Sequence, residues 1–311
     1  MKKNNHHKND NNDSDNSIRQ SPDVLIAGTS LWQDAWRRLR KNTMAVAGGV
    51  VILALGTTCF LGPSVIAVVW GYDTETQNLA YGPQPPSLAH PFGTDFYGRD
   101  LFVRVLAGGR VSLSIGFLAA FVAATIGTIY GAVSSYVGGL TDSVMMRIVD
   151  ILYALPYMFL VIILVTILGK SLLLLFLALG AVGWLLTARV VRGQVLSLKE
   201  QDFILAAKSL GTPGRDIILR HLIPNTLGPV IVTFTLTVPS MILQEAFLSF
   251  LGLGVQPPQP SLGSLINDGA NQMLVFWWTL IFPGGVMAIM PLALNFLGDG
   301  IRDALDPRMR T

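Results

Sequence analysis

Charge is missing from this chain in long blocks. No Asp, Glu, Lys or Arg occurs from Met44 to Trp70, Val111 to Thr141, Ser171 to Ala188 or Leu222 to Gln244. Between Ala246 and Gly298 the only charge is Asp268. A bilayer core is about 30 Å thick and takes a helix of about 20 apolar residues to cross. Helices also satisfy every backbone polar group internally, as lipid demands. A barrel reading fails, because the runs are too long and lack the alternation of barrel strands. Spans are expected near Met44–Trp70, Val111–Val133, Val144–Leu168, Ser171–Val191, Leu227–Leu251 and Met273–Leu297. Composition agrees: 51% of residues are hydrophobic and 13% charged, against about 25% charge in a soluble domain. The expectation is an all-α membrane protein with six transmembrane helices.

Orientation follows from the basic residues. Of 22 Lys and Arg, only Arg99, Arg104, Arg110 and Lys170 fall on one side of the six-span arrangement. The positive-inside rule puts both termini in the cytoplasm. The basic residues flank apolar runs rather than forming a soluble patch, so a pI near 9.1 points to lipid and not to nucleic acid. Cys59 is the single cysteine, which excludes an intrachain disulfide framework.

The chain then divides as follows. Residues 1–30, rich in Asn, Asp, His and Lys, are expected to be a disordered cytoplasmic tail, with His6 and His7 part of that polar tract and not a metal site. Residues 31–43 read as a basic amphipathic helix attracted to anionic lipid on the inner surface. After the first transmembrane helix at 44–70 come an external segment at 71–110, a five-helix core at 111–298 and a cytoplasmic tail at 299–311. Within the core, a cytoplasmic loop spans 199–225.

That loop carries the strongest functional signal. Phe203, Ile204, Ala207 and Leu210 recur at helical spacing and form an apolar face. Gly211 permits a left-handed stop and Pro213-Gly214 turns the chain. A second short helix is expected from Arg215, interrupted at Pro224. An apolar stripe with a basic rim suits docking in a protein groove; an amphipathic pair lying on lipid has the same pattern.

Here the sequence resembles the coupling loop of bacterial binding-protein-dependent ABC importers. That family has Glu-Ala-Ala, three residues, Gly, nine residues, then Ile-x-Leu-Pro. Ala206, Ala207, Gly211, His221, Ile223 and Pro224 occupy the corresponding positions, while Leu205 replaces the glutamate. The stretch from His90 to Asp100 and that from Leu297 to Pro307 resemble the peptide and nickel permease group. Ser30–Ala35, Asp142–Arg147, Ala188–Lys199 and Val238–Leu243 are similar to the C permease subunits of oligopeptide importers. At Ser261-Leu262-Gly263 the chain departs from the group, where Trp usually precedes the glycine.

The resemblance implies a type I ABC importer permease fold in the bacterial cytoplasmic (inner) membrane. It also implies a homologous second permease, two ATPase subunits, an external substrate-binding protein and a peptide cargo. ATP and Mg would belong to the ATPase partners, with no cofactor or metal bound by this chain. Dipeptides, nickel or another small solute would suit the same architecture. Phe203, Ala206, Ala207, Gly211, His221, Ile223 and Pro224 are the candidate ATPase-coupling residues.

Few charges lie inside the spans. Arg147 and Asp150, three residues apart, read as a candidate intramembrane pair. Glu245 has no local basic partner, and an intramembrane carboxylate is a functional-site candidate. It could line the pathway, contact the second permease, or be a protonated structural residue. Gly169-Lys170-Ser171 imitates a phosphate loop but has Leu164 where the motif needs glycine. Gly127 and Gly131 have the spacing for close helix contact. Pro156, Pro239, Pro283 and Pro291 can kink or simply shape their helices. A secondary carrier would show internal repeats and clustered intramembrane ions, and an enzyme a nucleophile–base or metal constellation; neither pattern is found.

Overall fold

The computed structural model describes residues 31–169 and 171–305. The expected tail at 1–30 with His6 and His7, together with Lys170 and residues 306–311, lies outside them.

The chain opens with α1 (Leu31–Lys41) and α2 (Thr43–Trp70), separated by Asn42, whose side chain accepts the Ala45 N–H at 3.2 Å. A non-helical segment, residues 71–100, follows, and α3 (Leu101–Val137) starts on Asp100, whose carboxylate accepts the Val103 N–H at 2.9 Å. That cap begins the helix well before the expected Val111 and draws Arg104 and Arg110 into it.

The expected third span is two helices, α4 (Gly139–Ala154) and α5 (Tyr157–Leu168), bent by 91° at Leu155-Pro156. Proline lacks an N–H and pushes the preceding residue into extended backbone, and Leu155 lies there at ψ 141°. α6 (Leu172–Leu198), begun by the Ser171 cap, runs past the expected Val191. Two short pieces come next, α7 (Asp202–Ser209) and α8 (Gly214–Asp216). A π-helical segment, Ile217–Leu222, then joins α8 to α9 (Ile223–Phe250). α10 (Leu262–Ala270) is a short helix that hydropathy did not mark, closed by reciprocal bonds between Ser261 and Ser264. α11 (Trp278–Leu305) completes the bundle, starting and ending later than the expected Met273–Leu297.

By length and composition five helical stretches can cross a membrane, or six if α4–α5 is one broken span. Pro229 and Pro239 in α9 and Pro283 and Pro291 in α11 lie inside continuous helices. Only Pro156 coincides with a break among these.

α3 and α6 form the centre of the bundle. A β-carbon on Gly127 would stand 2.7 Å from the Trp184 carbonyl oxygen, and one on Gly131 at 2.4 Å from that of Ala188. The two helices approach to backbone contact there, which the small-residue spacing predicts. α9 and α11 close one side, and α2 packs on α11 and α3. The Trp278 Nε1–H donates to the Thr94 carbonyl at 3.1 Å, and Phe92 stacks on Phe282 at 4.1 Å. These contacts pin the segment around Gly93 to the start of α11.

Candidate functional site

The loop at 199–225 is a compact cap. α7 ends in a Schellman turn: the Thr212 N–H donates to the Ala207 carbonyl at 3.1 Å and the Gly211 N–H to that of Lys208 at 3.0 Å. Gly211 has φ 77°, a left-handed conformation that costs residues with a β-carbon roughly 1–2 kcal/mol. The expected single apolar face is divided in two. Ile204 and Ala207 turn inward, Ile204 joining Val191, Val195, Ile217 and Leu222 in a buried cluster. Phe203, Leu205, Ala206 and Leu210 are exposed, Leu210 at 86%. The inward half holds the loop on the bundle, and the outward half leaves an apolar surface uncovered by this chain.

The second helix of the loop does not stop at Pro224. It continues through the π segment into α9, giving one helical stretch from Gly214 to Phe250. A proline ring clashes with the carbonyl four residues earlier in a regular α-helix, and a wider turn relieves this. His221 and Ile223 are half-buried at this junction and Pro224 is exposed. The Asn225 side-chain N–H bonds the His221 carbonyl at 2.6 Å. The loop is thus continuous with a helix long and apolar enough to cross a membrane. Arg147 and Asp150 do not form the expected pair. Asp150 instead accepts from Arg189 of α6 at 2.8 Å, and Asp142 takes a two-pronged bond from Arg192 at 2.7 and 2.6 Å. Three residues of separation on a helix permits a contact but does not compel it when α6 brings a longer reach from across the bundle.

Of the three places open to Glu245, the structure fits the structural one: its side chain is fully buried within its own chain. Ser112 Oγ of α3 donates to Oε2 at 2.8 Å and Ser249 Oγ to Oε1 at 2.7 Å. Each serine accepts in turn. The Leu262 N–H donates to Ser112 Oγ at 3.2 Å, and Ser261 Oγ–H to Ser249 Oγ at 3.2 Å. The Ser264 N–H donates to Ser261 Oγ at 3.1 Å. Two relays therefore run from the N-terminus of α10 to one carboxylate, a favourable end for negative charge. Gly263 packs on the Ala246 backbone, and Leu262 fills the buried position where the resembled group has Trp.

Gln244, one residue away, looks elsewhere. It lines a cavity of about 640 Å³ between α9, α6 and the α4–α5 break. Neither the cavity nor the serines around Glu245 were singled out from the sequence. Thr233, Thr237, Ser240 and Gln244 do share one helical face, a signal that was available.

Comparison with known proteins adds to this geometry. Residues 116–311 match the family model described as the inner membrane component of binding-protein-dependent transport systems. Residues 30–86 match the N-terminal TM domain of oligopeptide transport permease C. The chain is 49% identical to the oligopeptide transport system permease protein OppC of Haemophilus influenzae, covering 93% of this chain and 92% of that protein. It is 50% identical to OppC of Escherichia coli K12, covering 93% and 95%. The dipeptide transport system permease protein DppC of Bacillus subtilis is 45% identical, covering 94% and 90%. Among solved structures, the MetNI methionine ABC transporter in an inward-facing conformation aligns with TM-score 0.52 and 20% identity, covering 66% of this chain and 96% of that one. That likeness is one of fold.

Proposed function

The chain belongs to the family of inner membrane components of binding-protein-dependent transport systems, with the type I importer permease fold, and we propose that it forms half of a peptide pathway into the cell. A homologous permease supplies the other half. Two ATPase subunits bind ATP and Mg beneath the pair, and an external binding protein delivers peptide. Both termini face the cytoplasm, beside the loop at 199–225. The chain does no chemistry itself: contacts that differ between nucleotide states bias a bundle with two arrangements.

The observation that carries this reading is the divided face of α7. Ile204 and Ala207 fix the loop to the bundle, while Phe203, Leu205 and Leu210 are left exposed on a helix that leads into α9. An ATPase groove is the occupant that such a helix fits. Relatives named for oligopeptides and for dipeptides match at 50% and 45% identity, so short peptides of both lengths are the cargo to assay.

Gly211→Val and Leu210→Asp test the coupling. The first strains the turn and the second places a charge in the proposed contact. Each should lower ATPase copurification and peptide uptake at least tenfold, the equivalent of about 1.4 kcal/mol, while membrane insertion is retained. Uptake and ATPase recovery equal to the unmodified chain in both variants would remove the assignment.

A further inference from the structure

Helical backbone breaks inside a membrane span are tolerated where the freed polar groups are buried in protein or line a polar cavity. The break at Leu155-Pro156 falls within an apolar stretch and lines the 640 Å³ cavity. Ending one helix and starting another leaves carbonyls on the first and N–H groups on the second without helical partners. Opposite them α9 presents Thr233, Thr237, Ser240 and Gln244 in a row. Gln244 Oε1 is buried and has no hydrogen-bond partner among the described residues. None of the lining residues carries a charge.

We infer that this cavity is a peptide main-chain cradle, in which the broken span and the α9 row match backbone amides of the cargo without reading its side chains. The volume lies in the range of about 300–1,000 Å³ usual for small-ligand sites. Apolar walls with a few neutral donors and acceptors hold an amide backbone and leave side-chain charge unrewarded. A passage lined by a carboxylate or an ammonium would retain one class of peptide and reject another. The Gln244 side-chain amide borders the cavity and meets the peptide backbone there, and the Ser240 hydroxyl serves either a carbonyl or an N–H. This assignment rests on the peptide-import reading above.

The test uses the whole transporter in proteoliposomes, with two tripeptides that differ only in a central Glu or Lys. Ser240→Asp should raise the Lys-to-Glu uptake ratio about threefold or more, and Ser240→Lys should lower it by a similar factor. Gln244→Leu should cut uptake of both tripeptides per ATP roughly fivefold, the loss of one ordinary hydrogen bond. Unchanged ratios for both Ser240 variants, or equal slowing of both peptides by both, would overturn the cradle while leaving peptide import standing. So would a photo-crosslinker at Gln244 that captures only the second permease in every nucleotide state. No uptake of either tripeptide by the unmodified complex overturns the import reading, and the cradle with it.

Discussion

Glu245 and Gln244 are neighbours on α9 with opposite surroundings. Toward α3 and α10, Glu245 is enclosed and both its oxygens accept serine hydroxyls that are themselves supplied by backbone N–H groups. Toward the broken span, Gln244 borders a cavity and its amide oxygen has no partner among the described residues. The same division runs through the bundle. About half of each apolar window of α3 and α6 is buried, 50% and 56%, whereas Val149 is the only fully buried residue of α4. A buried charge is tolerable only where its hydrogen bonds are complete. The Glu245 carboxyl sits in the half that is closed by packing, with both oxygens bonded, whereas the cavity on the other side of α9 is lined by neutral groups.

Closing the packed side too tightly should give the largest effect. A β-carbon on Gly131 meets the Ala188 carbonyl at 2.4 Å, and backbone cannot turn aside as a flexible side chain can. Gly131→Val should cost on the order of 3 kcal/mol, read as loss of folded chain or a lower melting temperature in detergent. Gly193, also helical, has open space around its β position. Gly193→Ala should be neutral or stabilising by about 0.5–1 kcal/mol. Equal losses at the two glycines would erase the contrast between packed and open faces.

The spans were legible because long uncharged runs leave a chain few alternatives, and Gly211 was legible because a Schellman turn is local. Less local features were not. Pro156 breaks its helix while Pro229, Pro239, Pro283 and Pro291 do not, although the residue is the same. Neighbouring helices decide whether a freed carbonyl finds a place, and a single sequence does not show them. Glu245 was noticed as a lone carboxylate, but its partner Ser112 is 133 residues away, and distance in sequence hid its environment. Asp150 was paired with Arg147 on spacing, while Arg189 reaches it from another helix. In the loop, periodicity put Phe203, Ile204, Ala207 and Leu210 on one face but could not say that Ile204 faces in and Phe203 and Leu210 face out.

Removing the carboxyl node sharpens the comparison next. Glu245→Ala takes the acceptor from Ser112 and Ser249 together, and buried groups left unsatisfied cost about 1–3 kcal/mol. Glu245→Gln keeps the shape but sets an amide N–H against a hydroxyl that already donates, so it should fall between Ala and the unmodified chain. Gln244→Ala, on the open face, should change stability by less than about 1 kcal/mol. Thermal unfolding of the purified chain in detergent measures all three. A larger loss at Gln244 than at Glu245 would invert the assignment of the two faces.

The smallest effect concerns Asp268, on α10 outside the membrane-spanning helices. Burial raises its carboxyl above the ordinary carboxylate range, and the attraction of Arg104 and Arg99 only partly offsets this, with Asp95 adding repulsion. Asp95 is itself engaged by Arg99 at 2.7 Å and Arg104 at 3.4 Å, which leaves less of their field for Asp268. A folded-state value above the unfolded one means that folding favours the protonated form. Its contribution is therefore fully present below the unfolded value and is lost as pH rises through the folded one. Asp268→Asn has no such slope. The difference in melting temperature, Asn variant minus unmodified chain, should grow as pH rises from about 4 to about 7. A difference that shrinks or changes sign over that interval would mean that the two arginines outweigh burial, and that α10 is held by charge at its outer end as well as by the serines at its inner one.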